Sequence, residues 1–484
     1  MDQFNSTNSG NETFSVPLIR LRGRNATQNV LYNPGGPGGS GMGAMYSMGD
    51  KLHDIMGEGF HVLSFDPRGI NSSRPAANCY PQGEEGTAIR WAHPLIHQAQ
   101  KEADSLELVA WATNYAKACA DTMGDHGRYI NTPQTAADMN SILDAVGQRD
   151  MLYYGVSYGT VLGQTYAAMY PERSRRVIID GVVNAFDWYG ELTLSDALVD
   201  NEKVFDGFLE QCVKAGQGNC TLAAEGLDAA GLRSKLFHFI DEVDQQPLSV
   251  YVNSTVYGII TAETILNTAI FRTMYSPKRW PQLADRLSEL MAGNHSTFFL
   301  DYGLMDNSDL MIAFDFVYGN DGISGPAHWG HGAEEMLSLL RPMWNQSILA
   351  HAGSRWYYPK QQWRLPKSHN FSLKKPATTG QSGVQTAHPV LILSTTYDPV
   401  TPLISARVAQ SAFEGSQLVE VKGDYLYNGT LPGTFSVCSV DRPYFPYIDG
   451  RDRIDDLGLE GDSSDLVAYR AQERLAEQWV GPHF

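Results

Sequence analysis

Basic residues are scarce. The chain carries 36 Lys and Arg against 54 Asp and Glu, a net charge of −18 at pH 7. So acidic a chain lacks the clustered cations that grip phosphate backbones or anionic lipid. Nucleic-acid binding through general basicity and attachment to an anionic membrane surface are therefore not expected. Long apolar runs are also missing: nothing approaches the roughly 18 uninterrupted apolar residues of a membrane span. The five cysteines include no CxxC pair, which argues against a zinc or dithiol redox site. No leader opens the chain, since Met1 is followed by the polar run DQFNSTNSGNET. The absence with most consequence concerns histidine: of thirteen, none falls within 399–482.

What is present suffices for a large folded body. Apolar residues make up 43% and charged residues 19% of 484. That is enough to bury a full core, at a length suited to one large domain with a sizeable insertion. An odd set of cysteines cannot pair completely; Cys79 with Cys119 and Cys212 with Cys220 could form disulfides, against the alternative of reduced buried thiols. Asn-X-Ser/Thr acceptors number ten, at Asn5, Asn11, Asn25, Asn71, Asn219, Asn253, Asn294, Asn345, Asn370 and Asn428. With 22 Asn and 61 Ser plus Thr in the chain, chance gives roughly three. The excess points to the secretory pathway or the extracellular space, with a leader removed or left out; an intracellular protein is the alternative.

Residues 1–180 alternate apolar runs, turns and helical periodicity, the pattern of an α/β fold. Strands are expected at Asn29–Tyr32, His61–Phe65, Met151–Tyr154 and from Val177 to Ile179. Met139, Ile142, Leu143 and Val146 follow i, i+3, i+4, i+7 and predict a helix; a second is expected over Thr160–Tyr170, stopped before Pro171. From 186 to 387 strand signals thin and aromatic, helical segments dominate. Strands resume at Pro389–Leu393 and Gln417–Val421, and SSDLVAYRAQERLAEQW reads as a closing helix. The expected organisation is a core of 1–185 and 388–484, with a mostly parallel sheet, interrupted by a mainly helical cap at 186–387.

Gly155-Val156-Ser157-Tyr158-Gly159 is a G-x-S-x-G between a predicted strand and a predicted helix. Such a turn pushes a serine hydroxyl outward, its glycines remove clashing Cβ atoms, and the following helix offers N–H groups to an anion. Asn33-Pro34-Gly35-Gly36-Pro37-Gly38-Gly39-Ser40-Gly41 follows the first apolar strand. So bare a loop lets a carbonyl approach main-chain amides, and Gly36 with Tyr158 is the expected oxyanion pair. A phosphate loop does not fit, because no Gly-Lys-Ser/Thr follows; a plain structural turn remains the alternative. Asp398, after PVLIL, is the candidate orienting acid, its alternative role an Asx-type turn before Pro399. The third member, a general base, is unknown. His483 would have to fold back from the chain end, and His388 precedes its strand at the far end from the site. His328 and His331 lack a further ligand for a metal. Asp66 and Arg68 in FDPRG are expected to brace the turn beside the site. No cofactor is expected.

Together, VPLIRLRG, NPGGPGGSG, FDPRGINSSRP, YYGVSYGT, VIIDGVV, PVLILSTTYDPVTP and YLYNGTLPGTFSVC resemble the tripeptidyl aminopeptidase and proline iminopeptidase-like group of α/β-hydrolases, in order and over almost the whole chain. The resemblance implies an α/β-hydrolase fold, Ser157 as nucleophile, Asp398 as acid, and a cap that selects a small-molecule or short-peptide substrate. It implies a serine hydrolase of exopeptidase type, working through an acyl-enzyme. In the group's aminopeptidases acidic cap residues receive the substrate amine, though none is matched to a position here. The group also carries a Gly-His segment after its last strand. Here Lys422-Gly423-Asp424 runs straight into Tyr425-Leu426-Tyr427, so that stretch is missing. The front is clipped by the same comparison, MDQFN resembling the middle of a Val-Pro-Met/Leu-Asp phrase; this would leave Cys438 without its partner. The cause is either a gene-model or splicing artefact or a true loss. With the base gone, two other readings stay open. One is a cyclase or lyase, with Tyr425 or Tyr427 supplying a proton; the other is a non-catalytic binder that uses the cap cavity.

Overall fold

A computed structural model describes residues 2–4, 12–81, 83, 86, 105–191, 193–304, 308–328, 333–350, 356–373, 383–421, 436–438, 467, 470 and 471. Its main sheet has eight strands in the order β1-β3-β2-β4-β5-β8-β9-β10. They are β1 Leu18–Leu21, β2 Gln28–Asn33, β3 Phe60–Phe65, β4 Met151–Val156, β5 Ser174–Asp180, β8 Leu391–Thr395, β9 Gln417–Val421 and β10 Ser436–Cys438. β1 runs antiparallel to β3, and every other pair is parallel. The sheet is therefore mostly parallel, as expected.

The inner strands are apolar on both faces because both are covered. Tyr32 and Val62 pack with Ala44, Met45 and Leu52 of the helix Gly41–Met56. Leu31 and Leu63 turn the other way, onto Met139 and Leu143 of the helix Thr132–Ala145 and Leu162 of the helix Tyr158–Met169. The edge strand β1 was not foreseen: it alternates exposed and half-buried residues, too weak a signal for four positions. β10, at three residues, is too short to carry a periodic signal. β8 begins two residues later than expected, since Pro389 has no N–H to give a ladder.

Between β5 and β8 the chain sets the helix Ser308–Asp321 against Tyr115, Tyr158 and Trp188, and builds a second apolar body from helices that include Asn201–Ala215, Ala229–Gln245, Trp280–Met291 and Ala333–Trp344. It also contains a hairpin that sequence reading did not separate from the helices, β6 Leu248–Asn253 with β7 Val256–Ile260. Asn253 Oδ1 closes its turn by accepting from the Thr255 and Val256 amides at 2.9 and 3.0 Å. Val250 and Ile260 face the core, while Tyr251 and Tyr257 stay exposed. The helix Ser105–Gly127, from the first stretch of chain, joins this body rather than the sheet. Its Ser105 Oγ meets Tyr358 Oη at 3.0 Å, and its Tyr115 Oη donates to Asp315 Oδ2 at 2.9 Å.

Both expected cysteine pairs are disulfides, Cys79–Cys119 and Cys212–Cys220. Of the expected closing helix only Val467, Arg470 and Ala471 are described, all helical. Tyr425, Tyr427, His331 and His483 lie outside the described residues.

Candidate active site

β4 delivers the chain to Ser157, which sits at φ 56° and ψ −123° before the helix Tyr158–Met169 begins. This backbone conformation disfavours any residue with a Cβ, at about 1–3 kcal/mol, and persists only where its surroundings hold it. Here they do. The Ser157 amide donates to the Asp180 carbonyl at 3.0 Å. The Ser157 carbonyl accepts from the Thr160 amide at 2.8 Å and from Thr160 Oγ1 at 2.6 Å. A Cβ on Gly159 would fall 2.8 Å from the Asn33 carbonyl oxygen, so the motif's glycine is required by close approach. Ser157 is partly exposed rather than sealed in side chains.

The glycine loop lies directly against this turn. Gly35 and Gly36 have φ of 95° and 114°. A Cβ on Gly35 would collide with the Val156 carbonyl and stand 2.9 Å from Ser157 Cβ and 3.2 Å from the Tyr158 nitrogen. Tyr158 opens its helix, where the first N–H groups have no intrahelical acceptor. The stretch at 34–39 and the turn at 157 are thus brought together, and Gly36, Ser157 and Tyr158 line one cavity. As expected, Asp66 and Arg68 brace this floor. Asp66 accepts from Ser40 Oγ, the Met42 amide and the Ser72 amide at 2.7, 3.0 and 3.0 Å. Arg68 forms a two-pronged, buried pair with Asp138 at 2.5 and 2.7 Å.

The cavity holds about 870 Å³ of empty space, counting the part open to solvent. Sequence reading found its floor but none of its wall. That wall includes Trp188, Phe271, Phe314, Tyr318, Trp356 and Tyr357. The only earlier signal was aromatic residues spaced i, i+4, such as Phe314 and Tyr318, in a region already rich in rings. Two carboxylates, Asp187 and Asp196, share the lining, and Asn184 Nδ2 donates to Asp196 Oδ2 at 3.1 Å. At the seam, Asp321 accepts from the Thr132 amide and the Trp188 indole, both at 2.7 Å, and from Thr132 Oγ1 at 2.5 Å. Tyr158 Oη meets Thr132 Oγ1 at 2.6 Å. Burial raises the Asp321 carboxyl to about 6, against the pull of these donors.

Asp398 makes the Asx-type turn that was its alternative role, its Oδ1 accepting from the Val400 and Thr401 amides at 3.0 and 2.7 Å. The same turn sets Val400 and Thr401 into the cavity lining beside Ser157. Asp180, raised to about 6 chiefly by burial, is pushed further by the Asp398 charge, as is the buried Tyr275 phenol. Asp398 therefore lies near the strand end that holds the Ser157 amide. No histidine is among the described cavity residues. The His388 amide donates to the Ser174 carbonyl at the opposite end of β5, which removes it from the site. His328 is exposed in a short 3-10 turn. The stretch after β9, where a base would be carried, lies outside the described residues.

Residues 28–425 match the family model for the alpha/beta hydrolase fold. Among curated proteins, the chain is 27% identical over 446 residues to serine protease Hip1 of Mycobacterium tuberculosis, covering 85% of this chain and 80% of that one. It is 26% identical to a tripeptidyl aminopeptidase of Streptomyces lividans, covering 81% and 69%. Identity to carboxylesterase B of Mycobacterium tuberculosis is also 26%, covering 85% and 79%.

Proposed function

The chain belongs to the alpha/beta hydrolase fold family, and from that premise we propose that it is a serine hydrolase of exopeptidase type whose acyl-enzyme forms on Ser157. The carrying observation is the pressure of the glycine loop on the serine turn, with Gly35 at φ 95° and no room for a Cβ against Ser157. In this reading Ser157 Oγ attacks an amide or ester carbonyl. The oxyanion that forms takes hydrogen bonds from the Gly36 and Tyr158 amides, donors fixed before reaction begins. The C–N or C–O bond breaks, the leaving group takes a proton, and water then releases the acyl group. Asp398 is the acid that orients the base once a histidine-bearing loop supplies one. Relatives named as a serine protease and an aminopeptidase support the peptidase side, and Asp187 and Asp196 in the wall suit a substrate's free amine.

With no histidine in 399–482 the Ser157 hydroxyl is a slow nucleophile. The test is fluorophosphonate labelling of this chain and of a form with a histidine-bearing loop restored between Gly423 and Tyr425. Labelling at Ser157 in the restored form, with little in the present one, is the expected result. No labelling of either removes the hydrolase reading. A second reading, cyclase or lyase chemistry, draws on the Tyr275 phenol, which lines the cavity and is held protonated by burial; its sign is turnover that survives Ser157→Ala. Ten glycosylation acceptors and two disulfides support passage through the secretory pathway.

A further inference from the structure

The wall above Ser157 carries a strong chemical bias. It is made chiefly of rings: Trp188, Phe271, Phe314, Tyr318, Trp356 and Tyr357, from four separate segments of chain. Phe314 and Trp356 stack at 4.7 Å between centroids, 22° from parallel. Trp188 packs against Tyr318 at 4.8 Å, and its indole is tied to Asp321. The wall is thus a braced aromatic surface, preformed to receive apolar bulk. Charge is biased as well. Asp187 and Asp196 are the charged residues of the described lining, and it contains no Lys, Arg or His. An anionic group entering this low-dielectric space would meet two carboxylates and no counter-charge in the lining itself; Lys360 Nζ, 3.6 Å from the Tyr318 ring centroid, is not part of that lining.

We propose that the cavity selects substrates with a bulky apolar group, aromatic above all, and rejects those with an anionic group beside the scissile bond. This rests on the reading that Ser157 is the reactive centre, but concerns recognition and not bond cleavage. A ring the size of naphthalene buries far more apolar area than a methyl group, which predicts at least about a tenfold gain in affinity.

The experiment separates the two claims by using Ser157→Ala, in which recognition is measured without acyl transfer. Calorimetric titration compares 2-naphthylalanine amide, alanine amide, and the N-acetyl and N-succinyl forms of phenylalanine amide. The expected order places naphthylalanine amide at least about tenfold tighter than alanine amide, and N-succinyl at least about tenfold weaker than N-acetyl. Asp196→Asn, which keeps the side-chain shape, should narrow the N-succinyl penalty by about threefold or more and leave the naphthyl preference intact. Trp356→Leu should shrink that preference while the anion penalty remains. Equal affinity for the naphthyl and methyl probes, anion binding equal to neutral binding, or no binding of any probe overturns the proposal. Selective binding with no turnover by the unmutated chain leaves recognition standing and counts against hydrolysis alone.

Discussion

The floor and the wall of the cavity are built by different rules. Two contiguous stretches, 33–41 and 155–159, make the floor, pressed backbone against backbone so that Gly35 and Gly159 tolerate no Cβ. Side chains make the wall, and they come from positions as far apart as Trp188 and Trp356. The geometry of the floor is therefore local in sequence and intolerant of change. Selectivity is distributed, and volume-conserving apolar exchanges in the wall should cost under about 1.5 kcal/mol.

That contrast breaks most directly at the support under the floor. Arg68 and Asp138 pair with side chains only 3% and 10% exposed. Arg68→Ala leaves a buried carboxylate without its guanidinium, so urea denaturation should show a loss of about 3–5 kcal/mol. A loss below about 1 kcal/mol would mean that the turn beside the site stands without this pair. Next in size is Gly35→Ala. It combines a φ of 95° with a Cβ set 2.9 Å from that of Ser157, and should cost about 2–3 kcal/mol. It should also abolish fluorophosphonate labelling in the histidine-restored form. Retained labelling at wild-type rate would show that the glycine loop can move away from the serine without consequence.

The same contrast explains what the sequence made legible. The β2, β3, β4, β5 and β9 strands, the serine turn and the glycine loop were readable because their signals are short-range: apolar runs, glycines at fixed offsets, proline stops. Asp398 was readable as a residue that closes an Asx-type turn after a strand. The wall was not, because ring positions say nothing about which cavity they line until helices from distant segments pack. The helix Ser105–Gly127 shows the difficulty from the other side: it precedes the serine in sequence and yet bonds to Tyr358 and Asp315, from the chain between β5 and β8. Edge strand β1, half exposed, had too little apolar contrast to be seen.

Asp321 joins the two regimes, and its titration gives the smallest of these effects. Its carboxylate takes hydrogen bonds from Thr132, on the helix beside the floor, and from Trp188 in the wall. The charges of Lys360 and Lys367 also interact with it. All these partners favour the ionised form, yet burial outweighs them and raises the carboxyl from 3.8 to about 6. A raised acid holds its proton in the folded chain while the unfolded chain has released it, so its contribution to stability is full below about pH 4 and lost as pH rises through about 6. Asp321→Asn cannot titrate. The stability of the unmutated chain minus that of the variant should therefore be largest near pH 4 and fall by about 2 kcal/mol towards pH 7, with Asp180 cancelling because both chains carry it. Urea denaturation at four pH values measures this. A difference that grows with pH would mean that the donors outweigh burial. Asp321 would then act as a fixed part of the floor and not as the joint through which floor and wall communicate.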